Sequence, residues 1–204
     1  MTTKTRIGAL AAAAALAAAI PVALFAFGGG DDRESYRGSV PPEGIAAPRF
    51  ELRDVEGGLV RMDDLRGKVV LVTFLDAQCE ESCPLIASHL AEGLGRLTAE
   101  ERTRVVALGI SVDPAEDTPE EVRSFLARHG AEHVLRYLVG PEAELRPVWE
   151  EFSVSASADT GSDDLHSAPV RIFDREGVWV TTLHAGADLT PQNLLHDVRV
   201  ALDS

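Results

Sequence analysis

Residues 69–90 read VVLVTFLDAQCEESCPLIASHL. The first seven, Val69 to Leu75, form a continuous apolar, β-branched run of the kind found in a central strand that is covered on both faces. From Pro84 to Leu97 apolar residues recur at helical spacing, which predicts a helix. The two cysteines, Cys79 and Cys83, therefore lie at a strand-to-helix junction.

Outside this stretch, strand patterns alternate with helix patterns. Paired glycines, Gly57-Gly58, predict a tight turn, and Thr118 followed by proline and glutamate predicts a helix start. This alternation, which ends in a hairpin, predicts an α/β, thioredoxin-like fold with a mixed central sheet, flanking helices and an N-terminal hairpin. The predicted elements are a hairpin (Phe50 to Arg53, Leu59 to Met62), a strand (Val105 to Val112), a helix from Thr118, a strand (Val134 to Leu138), a helix (Pro141 to Phe152), a hairpin (Ala168 to Phe173, Val178 to Leu183) and a helix (Thr190 to Leu202).

The N-terminus has the pattern of a membrane anchor. Lys4 and Arg6 precede a charge-free run over residues 7–27, which is long enough to cross a bilayer as one transmembrane helix. A cleavable signal is the alternative, but its apolar part is usually shorter. We therefore predict a cytoplasmic segment at residues 1–6, an anchor at 7–27, a Gly- and Pro-rich flexible linker at 28–48, and one domain at 49–204. The positive charges place that domain on the extracytoplasmic side of the cell membrane.

The charge of the chain excludes one class of partner. The formal net charge is −14, and every acidic residue follows Gly30. Nucleic-acid binding needs clustered Lys or Arg, so we expect no nucleic-acid partner. An acidic surface suits a cationic partner or metal ions, although solubility alone also explains it.

Cys79 and Cys83 are the only cysteines of the chain. Their spacing, i and i+4, lets the sulfurs meet on one side of a helical turn. A helix N-terminus lowers thiol pKa and favours the thiolate, while Glu80 and Glu81 oppose that effect. A purely structural disulfide is a poor alternative because so small a ring removes little unfolded-state entropy.

Two thiolates alone provide too few ligands for a metal site, since Cu(I) readily takes a third soft or imidazole ligand. His166 is the first candidate because it ends a polar stretch and directly precedes a predicted strand, where a loop can bring its ring over another strand end. His184, at the end of the following strand, is the reserve candidate. The remaining histidines are expected to be surface or core residues: His89, His129, His133 and His196.

Five segments stand out along the domain: C-x-x-x-C-P at 79–84, S-V-D-P at 111–114, D-T-P-E at 117–120, L-V-G-P at 138–141 and His-Ser at 166–167. Together they resemble the Sco/SenC copper chaperones, membrane-tethered thioredoxin-like proteins that help to build the copper centre of cytochrome c oxidase. The resemblance implies that Cys79, Cys83 and His166 bind copper, as Cu(I) or Cu(II). It also implies two partners, the copper-site subunit of the oxidase and another copper chaperone as donor.

The sequence departs from that family at places beside the ligands. Ala77-Gln78 stands where the family usually has Thr-His, and Leu165 stands where it has Asp. These positions are outside the ligand set, so we expect them to alter copper affinity and redox potential more than ligation itself.

Two functions follow from these residues. The first is a copper-binding metallochaperone, which would be no enzyme in the usual sense. The second is an extracytoplasmic thiol-disulfide oxidoreductase, in which one of Cys79 and Cys83 attacks a partner disulfide and the other resolves the intermediate. A peroxidase ranks third, because residues 73–79 lack the Pro-rich approach and flanking Thr of peroxide-reducing relatives.

Overall fold

The computed structural model describes residues 35–154 and 169–204. Within these residues the strands are β1 (Glu51–Asp54), β2 (Leu59–Arg61), β3 (Val69–Leu75), β4 (Val105–Ser111), β5 (Leu135–Val139), β6 (Val170–Phe173) and β7 (Trp179–Leu183). The helices are α1 (Ser82–Gly95), α2 (Ala99–Thr103), α3 (Pro119–Arg128), α4 (Glu142–Glu151) and α5 (Pro191–Asp203), with a 3-10 turn at Met62–Leu65.

The strands form one mixed sheet in the order β2-β1-β5-β4-β3-β6-β7. β3, β4 and β5 are parallel, while β1 and β6 flank them in the antiparallel direction. All seven residues of β3 are buried, because this strand lies inside the sheet with neighbours on both sides. The predicted central strand and the predicted mixed sheet are therefore confirmed.

Two helices begin with side-chain caps. The Thr118 side chain accepts a hydrogen bond from the Glu121 amide, and Pro119 follows at the first helical position, which confirms the predicted start of α3. Thr98 and Glu101 form a reciprocal capping box that begins α2, a short helix that was not predicted.

Helices α1 and α5 pack against one another at a glycine. A methyl group built on Gly93 of α1 would lie 2.8 Å from the Leu194 side chain of α5 and 3.0 Å from the Pro191 carbonyl oxygen. Glycine at this position therefore allows the close approach of the two helices.

Residues 35–47, which we call the strap, run along the outer edge of β7. Ser39 exchanges two backbone hydrogen bonds of 2.9 Å with Thr182. Further along, the Trp179 amide donates to the Ile45 carbonyl at 2.8 Å. The strap thus covers backbone groups that an edge strand would otherwise expose.

A buried carboxylate fixes the start of the strap. Asp197 of α5 is fully buried and accepts hydrogen bonds from the amides of Arg37 at 2.8 Å and Gly38 at 3.0 Å. The sequence predicted a flexible linker over residues 28–48. Over 35–47 the structure differs from that prediction, because these non-local hydrogen bonds hold the segment against the domain.

The predicted cytoplasmic segment (1–6), the predicted anchor (7–27) and the start of the predicted linker (28–34) lie outside the described residues. Among residues 35–154 and 169–204, every helix is too short or too polar to span a bilayer.

Candidate metal centre

The two cysteines lie at the end of β3 and the beginning of α1. Cys83 belongs to the first turn of α1 and is only 2% exposed, whereas Cys79 lies in the preceding loop and is partly exposed. Glu81 is the N-cap residue, so Cys79 precedes the helix. The i, i+4 spacing had predicted both sulfurs on one helical turn, and the structure differs from that prediction. Both thiols are free.

The two thiols differ sharply in acidity. A hydrogen bond from the Cys83 thiol lowers the pKa of Cys79 to about 5, and the amides of Cys83 and Glu81 and the Ser82 hydroxyl add to this effect against the opposing effect of burial. The pKa of Cys83 is raised well above its ordinary value because its proton is held by the Cys79 sulfur and because it is buried. The pair therefore holds one proton and one negative charge near neutral pH.

The loop that carries Cys79 is held by hydrogen bonds within the loop itself. The Cys79 amide donates to the Asp76 carbonyl at 3.3 Å, and the Gln78 amide donates to Asp76 Oδ1 at 2.7 Å. Asp76 is half-buried, and burial raises the pKa of its carboxyl. Glu80 and Glu81 are exposed, so water screens their charges more strongly than it screens the charge of the half-buried Asp76.

A second carboxylate, Asp117, holds the same loop from below. It is 4% exposed, and its Oδ1 accepts the amide of Ala77 at 2.8 Å. Its Oδ2 accepts the hydroxyls of Ser111 at 2.5 Å and Tyr137 at 2.9 Å. Burial raises the pKa of Asp117 to about 6, although all three hydrogen bonds act in the opposite direction.

Sequence reasoning missed this role of Asp117. The residue directly precedes the N-cap Thr118, where an acidic residue is ordinarily a solvent-exposed neighbour of the helix start. Its position in the D-T-P-E segment was the one available signal.

The third predicted ligand, His166, lies in residues 155–168, outside the described part of the chain. The reserve candidate His184 has Nδ1 3.7 Å from a carboxylate oxygen of Asp188. His89 donates to the Leu189 carbonyl at 2.9 Å, and the His129 ring packs at a tilt against the Phe125 ring. Within the described ranges, no three His, Cys, Asp or Glu side chains form a metal-binding cluster, so His184 does not complete a site with the cysteines.

The chemistry of the two sulfurs suits a soft metal ion. Cys79 is already a thiolate near neutral pH and is partly open to solvent, and Cys83 is the group that lowers its pKa most. Thiolate ligands select soft ions such as Cu(I) over Mg²⁺ or Ca²⁺, and a neighbouring imidazole would complete a three-ligand site.

Comparison with known proteins agrees with this fold. A sequence model of the SCO1/SenC family matches residues 40–203. An SCO2-like protein of Rickettsia typhi is 22% identical over 156 residues, 74% of each chain. Copper-bound ScoI of Bradyrhizobium japonicum has a TM-score of 0.61 and 28% identity, covering 76% of this chain and 98% of that one. BsSco, a member of the Sco family of cytochrome c oxidase assembly proteins, has a TM-score of 0.67 and 21% identity over 81% of this chain and 98% of its own. The chain belongs to the SCO1/SenC family.

Proposed function

We propose that this chain is a copper-binding metallochaperone of cytochrome c oxidase assembly, and that Cys79, Cys83 and His166 hold the copper ion. The observation that carries the proposal is the hydrogen-bonded thiol pair, half of it open to solvent, at the end of the central strand. The copper-bound structure of the Bradyrhizobium japonicum relative supports copper as the cargo.

The unequal thiols determine what happens to protons when copper binds. Cys79 is already ionised near neutral pH, whereas Cys83 still carries its proton. Binding of Cu(I) by both sulfurs therefore releases about one proton per chain instead of about two. The metal competes with a single proton at Cys83, which makes the free pair ready to accept copper.

Delivery requires that an incoming ligand can reach the metal. Cys79 is the accessible sulfur and Cys83 is the buried one. A partner thiolate would therefore replace Cys79 before Cys83 during ligand exchange. The partners in this proposal are the copper-site subunit of the oxidase, as recipient, and another copper chaperone, as donor.

The proposal includes a place in the cell. Residues 7–27 would anchor the chain in the cell membrane, with the folded domain on the extracytoplasmic side, where an oxidase copper site is within reach. Support comes from the charge-free run and the preceding Lys4 and Arg6.

A Cu(I) titration of the reduced full chain in mild detergent, with a chromophoric chelator as competitor, tests the function. We expect one Cu(I) per chain, lost in Cys79→Ser and Cys83→Ser and weakened in His166→Ala. His184→Ala is the matched histidine control and should bind like the parent chain. Absence of stoichiometric binding by the parent chain, or parent-like binding by all three ligand variants, would refute the proposal.

A thiol-disulfide oxidoreductase is the second candidate, favoured by the same difference between the thiols. The Cys79 thiolate would attack a partner disulfide, forming a mixed disulfide and releasing one partner thiolate. Cys83, after losing its proton, would then attack the Cys79 sulfur, releasing the second partner thiolate and leaving a Cys79–Cys83 disulfide. The partner would be reduced by two electrons and the chain oxidised by two.

Reduction of a disulfide substrate separates the two candidates. Activity that survives His166→Ala but disappears in Cys79→Ser favours the oxidoreductase, because thiol exchange needs no imidazole ligand. Copper binding that depends on His166, without measurable disulfide reduction, favours the metallochaperone.

A further inference from the structure

Asp117 is a buried carboxylate whose three hydrogen-bond donors come from three parts of the fold. The Ala77 amide belongs to the cysteine loop, Ser111 ends β4, and Tyr137 lies on β5. Within the described ranges, Asp117 forms no ion pair with Lys, Arg or His. Hydrogen bonds alone therefore compensate for the burial of this side chain.

The donors themselves are held in place. Tyr137 is fully buried, and Ser111 is fully buried with its carbonyl accepting the Trp149 indole N–H at 2.9 Å. The Asp117 amide in turn donates to the Asp113 carbonyl at 2.9 Å. The carboxylate therefore has little freedom to move, and it presents Oδ1 at a fixed place beneath the loop.

The Ala77 amide has no substitute for this acceptor. Ala77 is 2% exposed, so water cannot readily replace Asp117. Ala77 is two residues before Cys79. The Cys79 amide donates a hydrogen bond to the Asp76 carbonyl, and that carbonyl and the Ala77 amide belong to the same peptide group. Displacement of that peptide group would move the backbone of Cys79 directly.

Cys83 is held by a separate element. It lies in the first turn of α1, with its side chain in the core. The distance between the two sulfurs therefore depends on where the loop is placed relative to α1. The hydrogen bond from the Ala77 amide to Asp117 joins the loop to a residue outside it.

We propose that Asp117 is a positioning residue of the copper site: its buried carboxylate holds the Ala77 peptide group and thereby sets the place of Cys79 relative to Cys83. The inference rests on the proposed copper-binding function. It assigns no copper contact to Asp117, which acts through the cysteine loop.

Two measurements on the full chain test the proposal. The first is the Cu(I) affinity of the reduced chain, measured by chelator competition. The second is the thiolate-to-copper charge-transfer band of the Cu(II) form. Asp117→Ala should bind Cu(I) about 10- to 100-fold more weakly and shift the band. Asp117→Asn keeps an oxygen for the Ala77 amide, and its NH₂ can donate to Ser111 and Tyr137, so it should restore parent-like affinity and spectrum.

Asp197→Ala is the matched control, because Asp197 is another buried carboxylate that accepts backbone amides but lies at the strap. It should lower stability and leave the copper affinity and band unchanged. An Asp117→Ala chain with the parent's affinity and band, or equal losses in Asp117→Ala and Asp197→Ala, would overturn the proposal. Failure of the parent chain itself to bind copper would instead refute the proposed function.

If Asp117→Ala does not fold, hydrogen exchange of the Ala77 amide in the parent chain tests whether Asp117 holds the loop. The proposal expects strong protection of this amide in both the apo and the copper-bound chain. Exchange at the rate of a solvent-exposed loop amide would show that Asp117 does not hold the loop.

Discussion

The thiols of Cys79 and Cys83 interact directly, which lowers the pKa of Cys79 to about 5 and raises the pKa of Cys83. This contact makes one cysteine acidic and keeps the other protonated, although both lie near the same helix N-terminus. The difference follows from position: Cys79 lies in the loop, where backbone amides point at its sulfur, and Cys83 lies in the core.

The acidity of Cys79 predicts selective alkylation. Iodoacetamide should modify Cys79 in the reduced native chain near neutral pH, with a rate that rises with pH through an inflection near 5. Cys83→Ala removes the hydrogen-bond donor and should move the inflection upward, towards the ordinary thiol value of 9.0. Mass spectrometry of the modified peptide measures the rate. A parent inflection near 9 would contradict the assignment.

The same pair predicts how stability depends on pH. Since the pKa of Cys79 is about 5 in the folded chain and 9.0 ordinarily, the unfolded chain binds more protons between these values, and stability should rise with pH across them. Above about pH 9 the raised pKa of Cys83 reverses the sign, because the unfolded chain then loses a proton that the folded chain keeps.

Urea unfolding of the reduced chain from pH 5 to 10 measures this dependence, with the Cys79→Ala/Cys83→Ala double variant as the reference. The parent should gain stability over the reference between pH 5 and 9 and lose part of that gain above it. A constant difference between the two chains over the whole range would show that the thiols are not coupled.

Removal of the Asp197 carboxylate should loosen the strap. Asp197→Ala leaves the amides of Arg37 and Gly38 without their acceptor, and we expect a loss of about 2 to 4 kcal/mol in the free energy of unfolding. Asp203→Ala changes an exposed carboxylate on the same helix and should have little effect. Equal urea midpoints for the two variants would contradict this role of Asp197.

Two glycines of α1 should respond oppositely to alanine. Gly93→Ala places a methyl group against Leu194 and Pro191 and should cost about 1 to 3 kcal/mol of stability. Gly95→Ala meets no described atom within 4 Å and should be neutral or stabilising by up to about 1 kcal/mol. Thermal unfolding of both variants measures the difference, and a stable Gly93→Ala chain would show that α1 and α5 can move apart.

The sequence was sufficient for features that depend on local pattern. The apolar run of β3 and the cap at Thr118 are such features, because neighbouring residues determine them. The capping box at Thr98 and Glu101 is a local pattern of the same kind. The transmembrane anchor and His166 lie outside the described residues and stay predictions.

Features that join distant residues could not be predicted in this way. The strap lacks apolar periodicity, and the hydrogen bonds of Ser39 with Thr182 exist only after the sheet has formed. Asp117 likewise meets Ala77 only in the folded chain. The helix N-terminus predicted a lowered thiol pKa but no difference between the two cysteines, and the main cause of that difference is an interaction between the thiols themselves.

X-ray absorption at the copper K edge, on the full chain loaded with one Cu(I), tests the central claim most directly. Two sulfur scatterers and one imidazole nitrogen are expected, with the imidazole contribution lost in His166→Ala. A copper environment without sulfur, or one in which the imidazole remains after His166→Ala, would contradict it.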